Sequence, residues 1–181
     1  GLTSVAELPI VYANASGWAI TDVVAECRRV AMAGDLKLIV VDYLQLIAEP
    51  KDSRDRWRVV GEWTRALKQL ALELKCAVLI ASQLNRASLT RAHGKPELHD
   101  LRESGSIEQD ADVVMFLHRD EDLEEIDGAP AGDIISLECL VRKNRNGKTG
   151  EVALDFVPKW MKFGDAGAFG GHDPDRDLNA V

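Results

Sequence analysis

The stretch 36–47, LKLIVVDYLQLI, most constrains what this chain can fold into. Five of its first six residues (Leu36, Leu38, Ile39, Val40 and Val41) are apolar, and they run directly into Asp42. A short apolar run without alternation suits a strand covered on both faces, as in a parallel α/β sheet. A carboxylate at the C-terminal end of such a strand sits where open α/β sheets bind their ligands. In phosphate-handling folds it holds Mg²⁺, directly or through water. The same pattern also fits a buried strand ending in a turn Asp, which is common in α/β proteins.

The flanking elements support an α/β reading. Thr21 as N-cap, Asp22 in the first turn and Gly34 as a stop predict a helix over 21–33. Val60, Trp63, Leu67, Leu70 and Leu74 recur at alternating steps of three and four, which predicts an amphipathic helix over 54–75 with a core-facing stripe. AVLIAS (77–82) and VVMFL (113–117) read as further buried strands, and DLRESGSIEQDAD (100–112) as a turn with a short helix near 106–110. IISLECLV (134–141) and EVALDFV (151–157) read as a hairpin around Asn146-Gly147. PIVYAN (9–14) reads as a short strand entering a loop, and 84–99, broken by Gly94 and Pro96, as a mobile loop. The polar, Gly- and Asp-rich end reads as a disordered acidic tail over 164–181, leaving 1–163 as the folded part.

Charge limits the partners without excluding nucleic acid. The net charge is −8, but six acids sit in 120–127 and the tail adds a net −3, so the remainder carries +1. The loop 142–148 (RKNRNGK) holds four basic residues and no acid. That pattern argues against a broad basic surface and allows local basic loops. Cys27, Cys76 and Cys139 form no CxxC pair and the four histidines show no ligand spacing, which fits free thiols in a reducing cytosol and no zinc site. No apolar run approaches a membrane span.

Three constellations carry chemistry. Asp42 and Gln83 would emerge at one sheet edge if their strands are parallel neighbours. There Asp42 suits a metal, and the Gln83 amide can donate to a phosphate oxygen and accept from water; a solvated strand end fits Gln83 equally. Arg142, Lys143, Arg145 and Lys148 surround a tight turn, where an Arg fork suits phosphate or transition-state charge. A solvated basic tip is the plainer alternative. Arg102, Glu103, Ser104, Gly105 and Ser106 could approach an anion through backbone N–H groups. Their chemistry alone favours a helix-entry turn capped by Ser104 or Ser106.

Taken together, DYLQL (42–46), SQLNR (82–86), DLRESGSIEQDAD (100–112), HRDE (118–121), KNRNG (143–147) and W-x-K-F (160–163) resemble the hexameric replicative DNA helicases of the DnaB type, in their motor domain. The resemblance covers about 10–163. It implies an α/β, RecA-like P-loop NTPase core, mostly parallel with a C-terminal antiparallel hairpin. It implies ATP hydrolysis coupled to translocation on single-stranded DNA and duplex unwinding. Asp42 would be the Walker B acid for Mg²⁺, Gln83 the γ-phosphate-sensing glutamine, and Arg145 the finger reaching the next subunit's ATP with Lys143 beside it. Arg102, Glu103 and Gly105 would lie in the pore loop gripping single-stranded DNA. A hexameric homo-oligomer, a primase, a helicase loader and a cytoplasmic location follow from the same resemblance. One departure is large: no GxxxxGK[ST] loop occurs in the 181 residues, and Gly147-Lys148-Thr149 lacks its upstream Gly. The chain therefore reads as a motor core lacking its N-terminal P-loop portion and inactive alone. The alternative is a non-hydrolysing DNA-binding or helicase-modulating module. A recombinase of the RecA or RadA type shares the fold, but DYLQL and DLRESGSIEQDAD argue against it.

Overall fold

The computed structural model describes residues 7–50, 56–84, 94–101, 104–119 and 134–169. They fall into two compact units, one within Gly1–Gln83 plus Arg102–Asp110, the other within Leu84–Leu101 plus Ala111–Val181.

In the first unit, helix α1 (Ile20–Ala33) precedes strand β1 (Leu38–Val41), and a 3₁₀ turn at Leu44–Leu46 follows. Helix α2 (Arg56–Leu74), strand β2 (Ala77–Ile80) and the short helix α3 (Ser104–Asp110) complete it. Thr21 does not cap α1. The N-cap is Ala19, whose N–H donates to the Asp22 carboxylate at 3.0 Å, so the acid of the first turn does the capping. The α2 stripe is buried as its spacing predicts: Val60, Trp63, Leu67 and Leu70 all lie in the interior. Leu44, Ile47, Val59, Val60, Trp63 and Leu67 form one cluster, joined at its edge by Ile20, Val41, Ile80 and Ile107. A second cluster holds Ile39, Leu70 and Cys76, with Val24 and Cys27 of α1 against it. Cys27 and Cys76 share that cluster as free thiols. Burial raises the Cys27 thiol pKa, with smaller contributions from Cys76 and Glu26.

β1 and β2 pair in parallel, Leu38 opposite Ala77 through Val41 opposite Ile80. The expected burial on both faces is not what these strands show. Both α1 and α2 pack on the face carrying Ile39, Val41 and Val78. The opposite face leaves Leu38, Val40 and Leu79 each about half exposed, at 51%, 58% and 50%. PIVYAN forms no strand either: Ile10, Val11 and Tyr12 are exposed and join no sheet.

The second unit is a four-stranded antiparallel sheet, β3 (Val113–His118), β4 (Ile135–Asn144), β5 (Gly150–Val157) and β6 (Lys162–Asp165), in sequential order. The antiparallel part is thus twice the expected hairpin. β3 pairs with β4 through a register shift at Val114/Met115, and β6 pairs with β5, stacking Phe163 on Phe156 with ring centroids 4.5 Å apart. β6 and the turn after it extend past the expected end of the folded part at 163, and the buried Asp155 carboxylate accepts the Gly167 N–H at 2.7 Å. Residues 170–181 of the expected tail lie outside the described residues, as do 120–133.

Candidate functional site

Parallel pairing in register sends both strands of the first unit out at the same end of the sheet. Asp42 follows β1 directly and Gln83 follows β2 by three residues, and both are exposed. The two exits are laced together. The Ala81 N–H donates to the Val41 carbonyl (3.0 Å) and the Leu44 N–H to the Ala81 carbonyl (2.9 Å). The Gln45 side chain adds two more bonds: its Nε2 donates to Ser82 Oγ at 3.0 Å, and its Oε1 accepts the Gln83 N–H at 3.3 Å. The sequence gives no signal for this, because the partners lie 37 and 38 residues away. The peptide bond between Asp42 and Tyr43 is cis.

As a metal ligand Asp42 stands singly. Among the described residues no three His, Cys, Asp or Glu side chains gather as a metal cage. One exposed carboxylate at a strand end fits an ion that keeps waters and takes phosphate oxygens for its other ligands, as Mg²⁺ does.

α3 carries the C-terminal end of the third constellation. Arg102 and Glu103 lie outside the described residues. Gly105 is exposed in the first turn of α3, and a Cβ there would meet nothing within 4 Å, so packing does not require a glycine. Ser104 and Ser106, expected as caps, lie inside the helix. α3 is seated on α2 at two points. Thr64 Oγ1 donates to Asp110 Oδ2 at 2.7 Å. Gly61 faces Ser106 so closely that a Cβ at 61 would lie 2.6 Å from Ser106 Oγ.

The basic loop sorts into distinct roles. Arg142 Nη1 donates to Glu151 at 2.9 Å and its Nε to the Pro96 carbonyl at 3.2 Å, so it is held within the sheet. Lys95 bonds both Glu138 and Glu151. The Lys95 hydrogen bond, aided by Arg142 and opposed by burial, holds the Glu151 carboxyl below the usual carboxylate range. The same bond to Glu151 is the chief cause that raises the Lys95 pKa. Lys143 lies within β4 opposite Val114. Arg145 stands just beyond the strand, 47% exposed, with its N–H on the Asp112 carbonyl (2.9 Å) and its Nη1 on the Asp112 carboxylate (3.2 Å). Gly147 packs closely on Asn144, since a Cβ there would lie 2.7 Å from Asn144 Nδ2, and Asn144 bonds the Lys148 carbonyl to close the turn. Of the four basic residues expected to act together, Arg145 and Lys148 are thus exposed in the turn, Arg145 paired there with Asp112, while Arg142 is engaged with Glu151 and Pro96.

Comparison with known proteins agrees along most of the chain. A family model described as DnaB-like helicase C terminal domain matches residues 1–165. The replicative DNA helicase DnaB of Leifsonia xyli subsp. xyli (strain CTCB07) is 42% identical over 159 residues, covering 88% of this chain and 34% of that protein. That of Haemophilus influenzae (strain ATCC 51907 / DSM 11121 / KW20 / Rd) is 44% identical over 151 residues, 83% of this chain and 31% of that protein. The chain spans about a third of the length of these curated relatives. Among solved structures, one described as an ATPase domain superposes with a TM-score of 0.78 at 30% identity, covering 91% of this chain and 57% of that one. A DnaB-like replicative helicase, described with its interactions with primase, superposes at 0.79 with 31% identity, covering 91% and 40%. The α/β fold is that of a RecA-like ATPase core.

Proposed function

This chain belongs to the family of DnaB-like helicase C-terminal domains, and from that premise we propose that it forms part of a hexameric replicative helicase driven by ATP along single-stranded DNA. The observation that carries the reading is the parallel register of β1 and β2, which brings Asp42 and Gln83 out together at one laced sheet end.

In this reading Asp42 would hold Mg²⁺, which would supply positive charge to the phosphates of ATP. Gln83 places its amide against the terminal phosphate, where it can donate to an oxygen and accept from water. Arg145 reaches the nucleotide of the neighbouring subunit, and its planar fork meets the charge that develops on the transferred phosphoryl group. Lys143 adds a second positive charge from the end of β4, two residues before Arg145. Both arginines are paired, Arg142 with Glu151 and Arg145 with Asp112, but the Arg145 side chain is 47% exposed against 23% for Arg142, which supports Arg145 in that role. Arg102, Glu103 and Gly105 grip the DNA backbone, with phosphate contacts and no base readout. The absent side chain at Gly105 leaves room for a polymer to approach the main chain there.

A Gly-rich phosphate cradle does not occur in the 181 residues. By this account the chain as given does not hydrolyse ATP, for want of backbone donors and a Lys at the β- and γ-phosphates. A primase partner is supported by the solved neighbour described with primase. A helicase loader and a cytoplasmic location belong to the same proposal.

The test is Arg145→Ala in the intact protein that carries this sequence. DNA-stimulated hydrolysis should fall by about 10³-fold or more, while ATP binding stays within a few-fold of the parent. Equal hydrolysis in variant and parent would sink the assignment.

A further inference from the structure

We propose that Gln45 is a positioning residue for the nucleotide-sensing glutamine, fixing the main chain of Gln83 to the Asp42 loop. The inference rests on the assignment of Gln83 to the terminal phosphate.

Gln45 stands on a rigid mount. It lies in the 3₁₀ turn Leu44–Leu46, between Leu44, which is fully buried in the core cluster, and Ile47, also buried there. The Ile47 N–H closes that turn on the Leu44 carbonyl at 3.2 Å. The Gln45 side chain is half-buried, and it spends both ends of its amide on the neighbouring exit: Nε2 on Ser82 Oγ, Oε1 on the Gln83 N–H. An amide has one donor end and one acceptor end in a fixed plane. It therefore sets two successive residues of the β2 exit at once.

Gln83 needs such a brace. β2 ends at Ile80, and the last ladder-like bond on this side is the Ala81 N–H to Val41. Beyond it, the main chain of Gln83 is held to the β1 exit by Gln45. The Gln83 bond is the longer of the two, 3.3 Å against 3.0 Å. Past the usual 2.9–3.0 Å of an N–H···O bond, it is the weaker link. A movement of Gln83 with its phosphate is therefore read first by Gln45, and through the buried turn by the residue three places before it, Asp42. Gln45 itself makes no contact with nucleotide in this scheme; it acts through Gln83.

The experiment uses the intact protein, with ATP as substrate and single-stranded DNA present. Four variants are compared: Gln45→Met, Ser82→Ala, Gln83→Ala, and Gln45→Met combined with Gln83→Ala. Methionine keeps the length of the side chain and removes both hydrogen bonds. Misplacing the sensor should lower kcat about 10-fold in Gln45→Met, with KM for ATP within about twofold. Ser82→Ala should lose about threefold, because one of the two bonds remains. The double variant should be no slower than Gln83→Ala alone, since a brace has nothing left to position. A merely structural role would instead multiply the two losses and shift KM, and either result overturns the proposal. A Gln45→Met enzyme within twofold of the parent, beside a crippled Gln83→Ala, overturns it too and leaves the role of Gln83 standing. An unimpaired Gln83→Ala enzyme removes the premise, and the proposal with it. If Gln45→Met does not assemble, Ser82→Ala and its combination with Gln83→Ala carry the same comparison.

Discussion

Thr64→Val isolates one of the contacts that seat α3 on α2, the hydrogen bond to Asp110. Thr64 is 4% exposed, and its hydroxyl lies 2.7 Å from the Asp110 carboxylate and 3.2 Å from the Gly61 carbonyl. The single proton serves the shorter contact. Valine fills the same volume, so no cavity term enters, and the loss is that of a hydrogen bond to a charged group. Such bonds contribute about 1.5–3 kcal/mol. The methyl that replaces the hydroxyl recovers part of this at a buried site, leaving a net cost of about 1–2 kcal/mol. For a chain of this size that corresponds to a Tm lower by about 3–6 °C. Amide exchange in 104–110 should quicken by about 5–30-fold, because the cost falls on local opening of α3. The comparison that separates this bond from a general effect is the same substitution in an Asp110→Ala background, where it should cost almost nothing. Equal losses in both backgrounds, by thermal unfolding and by exchange, would refute the assignment of the α2–α3 link to this pair.

Gly61→Ala should change sign with its neighbour. In the parent it meets Ser106 and destabilises, whereas in a Ser106→Gly background the clash is gone and the helix preference for alanine returns up to about 1 kcal/mol; urea unfolding of the four proteins measures this. Lys95→Met should cost about 1 kcal/mol at neutral pH, a modest figure because the Lys95–Glu151 pair is partly exposed. Glu151 titrates below its ordinary range when folded, so its share of that difference is full at neutral pH and disappears as pH falls through the lowered value. Lys95 titrates above its ordinary range, so its share persists below the usual lysine pKa and is lost as pH rises through the raised one. Stability of variant and parent should therefore converge at both extremes of pH and differ most between them.

The residues most legible in the sequence are those whose burial repeats with the period of their own element. Val60, Trp63, Leu67 and Leu70 announce α2 because a 3.6-residue period survives whatever the helix packs on. β1 is legible as an apolar run, but its two faces are not: Leu38 and Ile39 look alike in sequence, and only the placement of α1 and α2 separates them. Ile10, Val11 and Tyr12 show the limit of strand propensity, which is realised only beside another strand. β6 hid in a short, Gly-containing segment that pairs with β5 and sets Phe163 against Phe156. Asp42 and Gln83 were legible as strand ends, and their juxtaposition followed from the parallel register. Gln45 was not, nor were the engagement of Arg142 by Pro96 and Glu151 and that of Arg145 by Asp112. Each depends on a partner that no periodicity announces.

Subunit mixing measures most directly whether Asp42 and Gln83 of one subunit work with Arg145 of the next. Two versions of the intact protein, Gln83→Ala and Arg145→Ala, are each prepared alone and then exchanged into common rings. Each alone should be nearly devoid of DNA-stimulated ATP hydrolysis. Mixed rings should regain it, because an Arg145→Ala subunit offers an intact Gln83 to the intact Arg145 of a Gln83→Ala neighbour. Rings that demonstrably mix yet stay as inactive as either parent would contradict a site completed in trans.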